Sequence, residues 1–412
     1  MTHRFHWLKG GAALIIVAAA TITPTSGRAA TTVYVANVED LYAAVNNYPE
    51  NVGASIILAP GIYFLSSTSS AGARPHGGRL ELLEDMSLYG VPGDRAAVVI
   101  DATALPRTSF TFEMPPLQRT GVIRTGRGSN AVEWLTIAGN PFAAAGVETD
   151  LLSSEARVRV AHVVAGNSTR GVDIRNFFPE QIRRKLDAEI VDGEFFGGVE
   201  GIRVANFLGA DEGDIRVVMS GNRSHDNSWG CIIESNRSSR ATIYVRSSGD
   251  RFEDNELGCQ IGAGLVGAFP GFASFNSTVF EGYGTQFINN TRRTDGCPLC
   301  MGPPVSTFGG VLVVGGDAFL PTLANTSSSN TVTVRLWGSK VAGNQTDSGV
   351  DFQAFGARFV DSSALAGTDN HVTIELHGVS AQVDPVDVGS FPDNLPGSDT
   401  NTVTVFGSPS AP

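Results

Sequence analysis

Cysteine is scarce in this chain: four residues in 412, at 231, 259, 297 and 300, are too few for a disulfide scaffold. Charge is scarce too. Asp, Glu, Lys and Arg make up 17% of the residues, against about a quarter in ordinary soluble domains. Bases are outnumbered by acids, 29 to 41, for a net charge of −12. That balance argues against nucleic acid and anionic lipid as partners, although a local basic patch still suits an anionic polysaccharide. Long apolar runs are missing, since none after the first thirty residues approaches the roughly 20 needed to cross a bilayer.

The apolar run that does exist, Ala12 to Ala20, follows Arg4 and Lys9 and precedes the small-x-small site Gly27-Arg28-Ala29. Residues 1–29 therefore read as a cleaved signal peptide, with an uncleaved anchor as the alternative. The expected location is secreted or periplasmic, without membrane insertion. The segment holds three bases and no acid, which leaves the mature chain 26 bases against 41 acids, net −15.

What the chain has in abundance is glycine, 48 residues, with many Val, Asn, Ser and Thr in short alternating runs, as an all-β protein with many turns requires. Residues 30–65 read as an N-terminal cap and first coil: a strand from Thr32, a helix over 40–47 with Leu41, Ala44 and Val45 on one face, and a strand Ser55–Leu58 running into Pro60-Gly61. From residue 157 to 407 a repeat is clear. Anchored on Asn167, Gly198, Asn227, Asn255, Asn290 and Asn344, its steps are 31, 29, 28, 35 and 54 residues. A glycine and an alternating strand follow each anchor. The first position after that glycine reads Val172, Ile202, Cys231, Cys259, Val311, Val350, and the third reads Ile174, Val204, Ile233, Ile261, Val313, Phe352. Both columns are apolar and point inward. A second strand precedes each anchor, as in Ile215-Arg-Val-Val and Thr331-Val-Thr-Val. A unit of about 30 residues with several short strands predicts one right-handed parallel β-helix over 30–412, with the 40–47 helix covering its open N-terminal end.

The stretch Val38 to Leu65, with its Asp-Leu-x-x-Ala-Val and Leu-Ala-Pro-Gly-x-Tyr-x-Leu, resembles the start of pectate-lyase-like β-helix proteins, and the Asn-turn-Gly-Val/Ile repeats resemble their coils. The resemblance implies the fold and polysaccharide lyase, glycoside hydrolase, epimerase, tailspike or adhesin roles. The enzymatic signatures are missing: no Asn-Thr-Asp, Asp-Asp pair, Gly-His-Gly or Trp-x-Asp-His occurs. The nearest item, Ser224-His225-Asp226-Asn227, reads as a solvated turn.

The outward positions of the post-glycine strands carry the candidate site. The second position reads Asp173, Arg203, Ile232, Gln260, Leu312, Asp351, and the fourth Arg175, Ala205, Glu234, Gly262, Val314, Gln353. Asp173, Arg175, Arg203 and Glu234 thus share one charged face. Long connections, 176–188, 206–214, 263–276 and 315–330, flank it as cleft walls. The first supplies Phe177 and a short helical piece bearing Arg183, Arg184 and Lys185; Phe207, Phe269 and Phe272 add aromatic surface. On a uronate polymer the arginines would neutralise a carboxylate while a base removes the adjacent proton. In hydrolysis Asp173 and Glu234 would be the acid/base pair. Asp173, Arg203 and Glu234 are therefore the catalytic candidates, and Arg175, Arg183, Arg184 and Phe177 the substrate-binding ones. The competing reading of the same residues is a structural salt-bridge network.

Cys231 and Cys259 share an inward column and read as stacked thiols, with a coil-to-coil disulfide as the alternative. Cys297 and Cys300 read as a local disulfide, because no second pair completes a zinc site. No cofactor is expected; calcium stays open at the acidic turn of Asp250, Glu253 and Asp254, where no calcium-loop spacing supports it. Two functions stay open. One is an enzyme acting on an acidic polysaccharide or cell-surface glycan; the other is a non-catalytic extracellular β-helix for binding, adhesion or surface structure. A monomer is expected in either case.

Overall fold

The structure is a computed structural model that describes residues 31–407, apart from 107–120, 140–144, 150–153, 178–183, 208–209, 267–270, 292–308, 319–324, 345–350, 360–366, 380, 382 and 391–399. The signal segment and the Cys297/Cys300 pair lie outside the described residues.

The chain winds as a right-handed parallel β-helix, the hand that parallel crossovers adopt. Among the described residues three sheets of twelve, nine and ten strands run the length of the stack. One coil shows the plan. Glu155–Ala161 lies in the twelve-stranded sheet, Val164–Gly166 in the nine-stranded sheet and Arg170–Phe177 in the ten-stranded sheet. Lys185–Val191 then starts the next coil, in parallel register with Glu155–Ala161. Helix α1 (Val38–Asn46) is capped by Asn37, whose side chain accepts from the Asp40 amide at 2.9 Å. It buries Leu41, Tyr42, Ala44 and Val45 against the first coil.

The inward columns hold. Val172, Ile202, Cys231, Cys259 and Val311 are buried, as are Ile174, Val204, Ile233, Ile261 and Val313. Full burial of each such side chain is worth about 1.5–3 kcal/mol. Cys231 and Cys259 are register partners, both buried and both free thiols. The glycines before these strands exist because coils approach closely there. A Cβ on Gly171 would meet the Gly201 carbonyl oxygen at 2.6 Å, and one on Gly258 the Gly310 oxygen at 2.6 Å.

Register differs from the sequence reading at two points. Gly166 pairs with Phe196 and Phe196 with His225. Asn167 therefore stands with Gly197, Asp226, Asp254, Asn289 and Gly343 at a left-handed corner, where φ is 53° to 69°, and Ser168 takes the anchor column. At the far end Val311 pairs with Phe352 and Leu312 with Gln353, so Asp351 and Gln353 move two places from their expected positions. A slip of two residues preserves the inward and outward faces, and alternation alone is blind to it. The expected helical piece at 181–186 is also corrected. Lys185 and Leu186 open a strand, because Leu186, Ala188 and Ile190 alternate inward.

Asparagine ladders seal the corners. The Asn227 amide and Nδ2 both donate to Asn255 Oδ1, at 3.0 and 3.2 Å. Asn255 repeats this on Asn290, and Asn290 on Asn344. A second ladder, Asn276, Asn330, Asn370 and Asn401, closes the corner before the twelve-stranded sheet in the same manner. At the third corner Asp250 is buried and accepts from the Asn222 amide at 2.7 Å, Asn222 Nδ2 at 2.8 Å and Ser247 Oγ at 2.6 Å. Burial pushes its carboxyl up to about 6 from an ordinary 3.8, against the pull of those three donors.

Two predictions follow from these corners. Asn255→Ala strands the buried Asn227 amide, at about 1–3 kcal/mol, while Asn227 Nδ2 keeps the Phe195 carbonyl; its urea midpoint should fall by the equivalent of about 1–3 kcal/mol. The second concerns Asp250. The folded chain retains a proton that the unfolded chain releases between the ordinary 3.8 and about 6, so this group's stability contribution is lost as pH rises through that window. Asp250→Asn keeps the acceptor and removes the titration. Its stability relative to wild type should improve by about 2–3 kcal/mol between about pH 4 and about pH 8. A pH-independent difference in thermal unfolding would contradict this.

Candidate functional site

The outer face of the ten-stranded sheet carries a row of charge that extends further than the repeat suggested. Glu81, Arg124, Glu148, Asp173, Arg203, Ile232, Gln260, Leu312 and Gln353 are successive register partners. Two positions on, Arg175 is followed by Ala205 and Glu234. Three positions before, Arg170 pairs in register with Glu200.

These side chains form a connected ion ladder. Arg124 and Arg127 both bind Glu81, the second at 2.8 Å. Arg175 binds Glu148 and reaches Asp173 at 3.5 Å. Arg170 lies 3.5 Å from Asp173 and 2.5 Å from Glu200. Arg203 lies 3.8 Å from Glu200, binds Glu234, and stacks its guanidinium 4.8 Å over the Phe207 ring. Asp173, Arg203 and Glu234 thus come together on three adjacent coils. They are 0%, 6% and 5% exposed, so this face is a buried network. Desolvation opposes charge on Arg203, yet Glu234, Glu200 and Asp173 together hold its pKa above the ordinary arginine value. Glu200, for all its burial, is held below the usual carboxylate range by Arg170 and Arg203. Arg175 goes the other way. Burial and the neighbouring Arg203 and Arg124 charges bring it down to about 9.

Where the ladder meets the twelve-stranded sheet there is a small crevice lined by Thr149, Arg175, Asn176, Arg184, Lys185 and Leu186, among others. The Arg175 amide donates to Thr149 Oγ1 at 2.7 Å, and Asn176 Nδ2 to Asn206 Oδ1 at 3.0 Å, which fix its floor. Arg184 is buried and Lys185 exposed. Its cavity volume is about 10 Å³, enough for one water-sized polar group.

The other expected residues lie elsewhere or outside the description. Arg183 and Phe269 fall in undescribed segments, and the Phe177 and Phe272 side chains are not described. The expected cleft walls are partly strand: Gly271–Ser274 pairs with Asn325–Ser328 as a small parallel sheet. His225 is a correction. It ends a strand of the nine-stranded sheet, stacks 5.2 Å from the Phe196 ring, and contacts Asp226 at 2.7 Å and Glu194 at 3.3 Å. Ring stacking and two carboxylates hold it where a solvated turn was expected. The acidic turn is also committed. Asp250 serves the corner, and Glu253 binds Arg223 at 2.6 Å and Arg251 at 2.5 Å. Among the described residues no three His, Cys, Asp or Glu side chains are grouped to hold a metal.

Sequence reasoning missed Glu81, Arg124, Glu148, Arg170 and Glu200. The signal was present as a charge between two leucines in Leu80-Glu81-Leu82, as a charge between β-branched residues in Ile123-Arg124-Thr125 and Val147-Glu148-Thr149, and as a charge before the repeat glycine in Arg170-Gly171 and Glu200-Gly201.

Removing one partner of a buried ion pair costs about 3–5 kcal/mol, whereas replacing both is often neutral. Arg203→Met should therefore be destabilised by about that amount in urea, and Arg203→Met with Glu234→Leu should recover most of the loss.

No protein-family model matches the chain, and no curated protein matches it. Among solved structures it is similar to the A-modules of two mannuronan C-5 epimerases of Azotobacter vinelandii, AlgE6 and AlgE4. Identities are 16% and 13%, with 92% and 90% of this chain and 100% of each of those chains covered, at TM-scores of 0.39 and 0.40. It is also similar to pectate lyase Pel9A, at 13% identity, 90% and 82% coverage and a TM-score of 0.32. The continuous parallel sheets and the capped first coil make the fold a right-handed parallel β-helix.

Proposed function

We propose that this chain is an extracytoplasmic β-helix that binds an acidic polysaccharide without cleaving it. The reading rests on Arg184 and Lys185, which with Arg175 line the crevice beside the ion ladder. Lys185 is exposed beside Arg184 there, so a uronate carboxylate can be held at the mouth by charge-assisted hydrogen bonds with its ring outside, while Arg175 stays bound to Glu148 and Asp173. The net charge of −12 makes such a local basic site selective against indiscriminate polyanion binding. Among the described residues no helix is long and apolar enough to cross a membrane. Binding is preferred over catalysis because Asp173, Arg203 and Glu234 are closed into ion pairs. General acid–base work needs a group within reach of substrate.

The test is a panel of polyuronates, sulfated glycans and neutral glucans, read for binding, unsaturated products and reducing ends. A polyuronate should bind, more weakly at high salt, and Arg184→Ala should lower its affinity by about tenfold or more, roughly 1.4 kcal/mol. Neither product should appear. Absence of polyuronate binding would end the proposal; product formation that Glu234→Gln abolishes would replace it with the catalytic reading.

A further inference from the structure

The N-terminal end of the stack has an edge that the cap leaves open. Helix α1 packs on Thr32–Val35 and Leu80–Glu81, the first strands of the twelve- and ten-stranded sheets. Among the described residues the first strand of the nine-stranded sheet, Gly61–Phe64, pairs on one side only, with Val98–Asp101. The Gly61 and Leu65 amides donate to the Ala97 and Asp101 carbonyls, each at 2.8 Å. By the alternation of a strand, the N–H and C=O groups of Ile62 and Phe64 face the open edge. Their side chains are 57% and 61% exposed. Tyr63 between them is buried, its hydroxyl donating to the Val35 and Ala59 carbonyls. Tyr34 and Tyr48 are exposed at the same end. Four of the eight large exposed hydrophobics among the described residues thus lie between 34 and 64.

We infer that this edge is a self-association surface, and that its occupant is the same strand of a second copy, antiparallel about a two-fold axis through Tyr63. The register is dictated by the strand itself. With Tyr63 opposite Tyr63, Ile62 faces Phe64 of the second copy, and Phe64 faces its Ile62. Those are the residues whose backbone groups point to the edge, so each pair exchanges two hydrogen bonds, four in all. Opposed side chains share a face, and each exposed Ile therefore covers an exposed Phe. Natural edges are protected by charge, proline or cover. From Leu58 to Leu65 there is no charged residue, so no like-charge contact opposes the pairing despite the acidic chain. Pro60 lies just outside the paired length and ends the ladder there, since it has no N–H to give. The edge of the twelve-stranded sheet is a poorer candidate. The same operation there sets Thr32 against Tyr34, and α1 already packs on that strand.

The experiment is analytical ultracentrifugation of the full chain at about 0.1 mM, a concentration that populates micromolar complexes. Wild type should sediment as a dimer that dissociates on dilution. Ile62→Lys and Phe64→Glu, both at exposed positions, should each be monomeric with unchanged circular dichroism and thermal midpoint. An equimolar mixture of the two should dimerise again, because the introduced lysine then faces the introduced glutamate while the remaining Phe64 faces the remaining Ile62. High salt should weaken that mixed dimer selectively. A monomeric wild type overturns the proposal, and edge amides protected from hydrogen exchange in that monomer would show that another part of the chain covers them. Dimers that survive either single substitution, or a mixture that stays monomeric, overturn it equally.

Discussion

Everything in this molecule depends on one constraint: each coil must sit on the next in register, about 4.8 Å away, so that like positions stack on like. Once that holds, the inward columns become continuous apolar stacks and the corners become ladders in which one asparagine accepts from the asparagine, or backbone, of the coil before. Asn255 shows the economy. Its Oδ1 accepts twice from Asn227, and its own amide and Nδ2 donate to Asn290. A turn that leaves the sheet still has its polar groups satisfied, which is the condition for burying it.

The same stacking makes charge on a sheet face a collective property. Residues one strand spacing apart must alternate in sign or be bridged. Glu81, Arg124 and Glu148 alternate. Glu148 and Asp173 do not, and Arg175 lies between them and contacts both. Arg170, Glu200, Arg203 and Glu234 continue the alternation diagonally across three coils. Beyond Arg203 the row turns to Ile232, Gln260 and Leu312, and the ladder stops. The ion ladder thus occupies the N-terminal part of the face, with the basic crevice beside it.

Fold and faces were legible because a two-residue period and a 30-residue period are both written in side-chain polarity. Val172 to Val311 and Ile174 to Val313 could be stacked without coordinates. Register offsets were less legible. Asn167 looks like the ladder asparagines, but a left-handed corner accepts Asn, Asp or Gly equally, and only pairing through Gly166 and Phe196 separates the two columns. The second ladder was written as plainly as the first, in Asn276-Ser-Thr-Val, Asn330-Thr-Val, Asn370-His-Val and Asn401-Thr-Val. Asn276 and Asn330 also end long connections, and an asparagine at a loop end is common enough to carry no signal by itself. At the candidate site, sequence identified which charges are neighbours and missed that they are buried. Exposure of an outward residue depends on what else in the fold packs over it, and no local pattern encodes that.

The coil from Asn290 to Asn344 spans 54 residues, yet the two asparagines bond at 3.0 and 2.9 Å, as closely as those 28 apart. The stack reads only the few residues that return to register. Material inserted between corners is therefore a cassette that the architecture carries without being consulted. A lineage with this scaffold can lengthen, shorten or exchange such segments and so acquire a new recognition surface in one genetic step, without first solving the folding problem again.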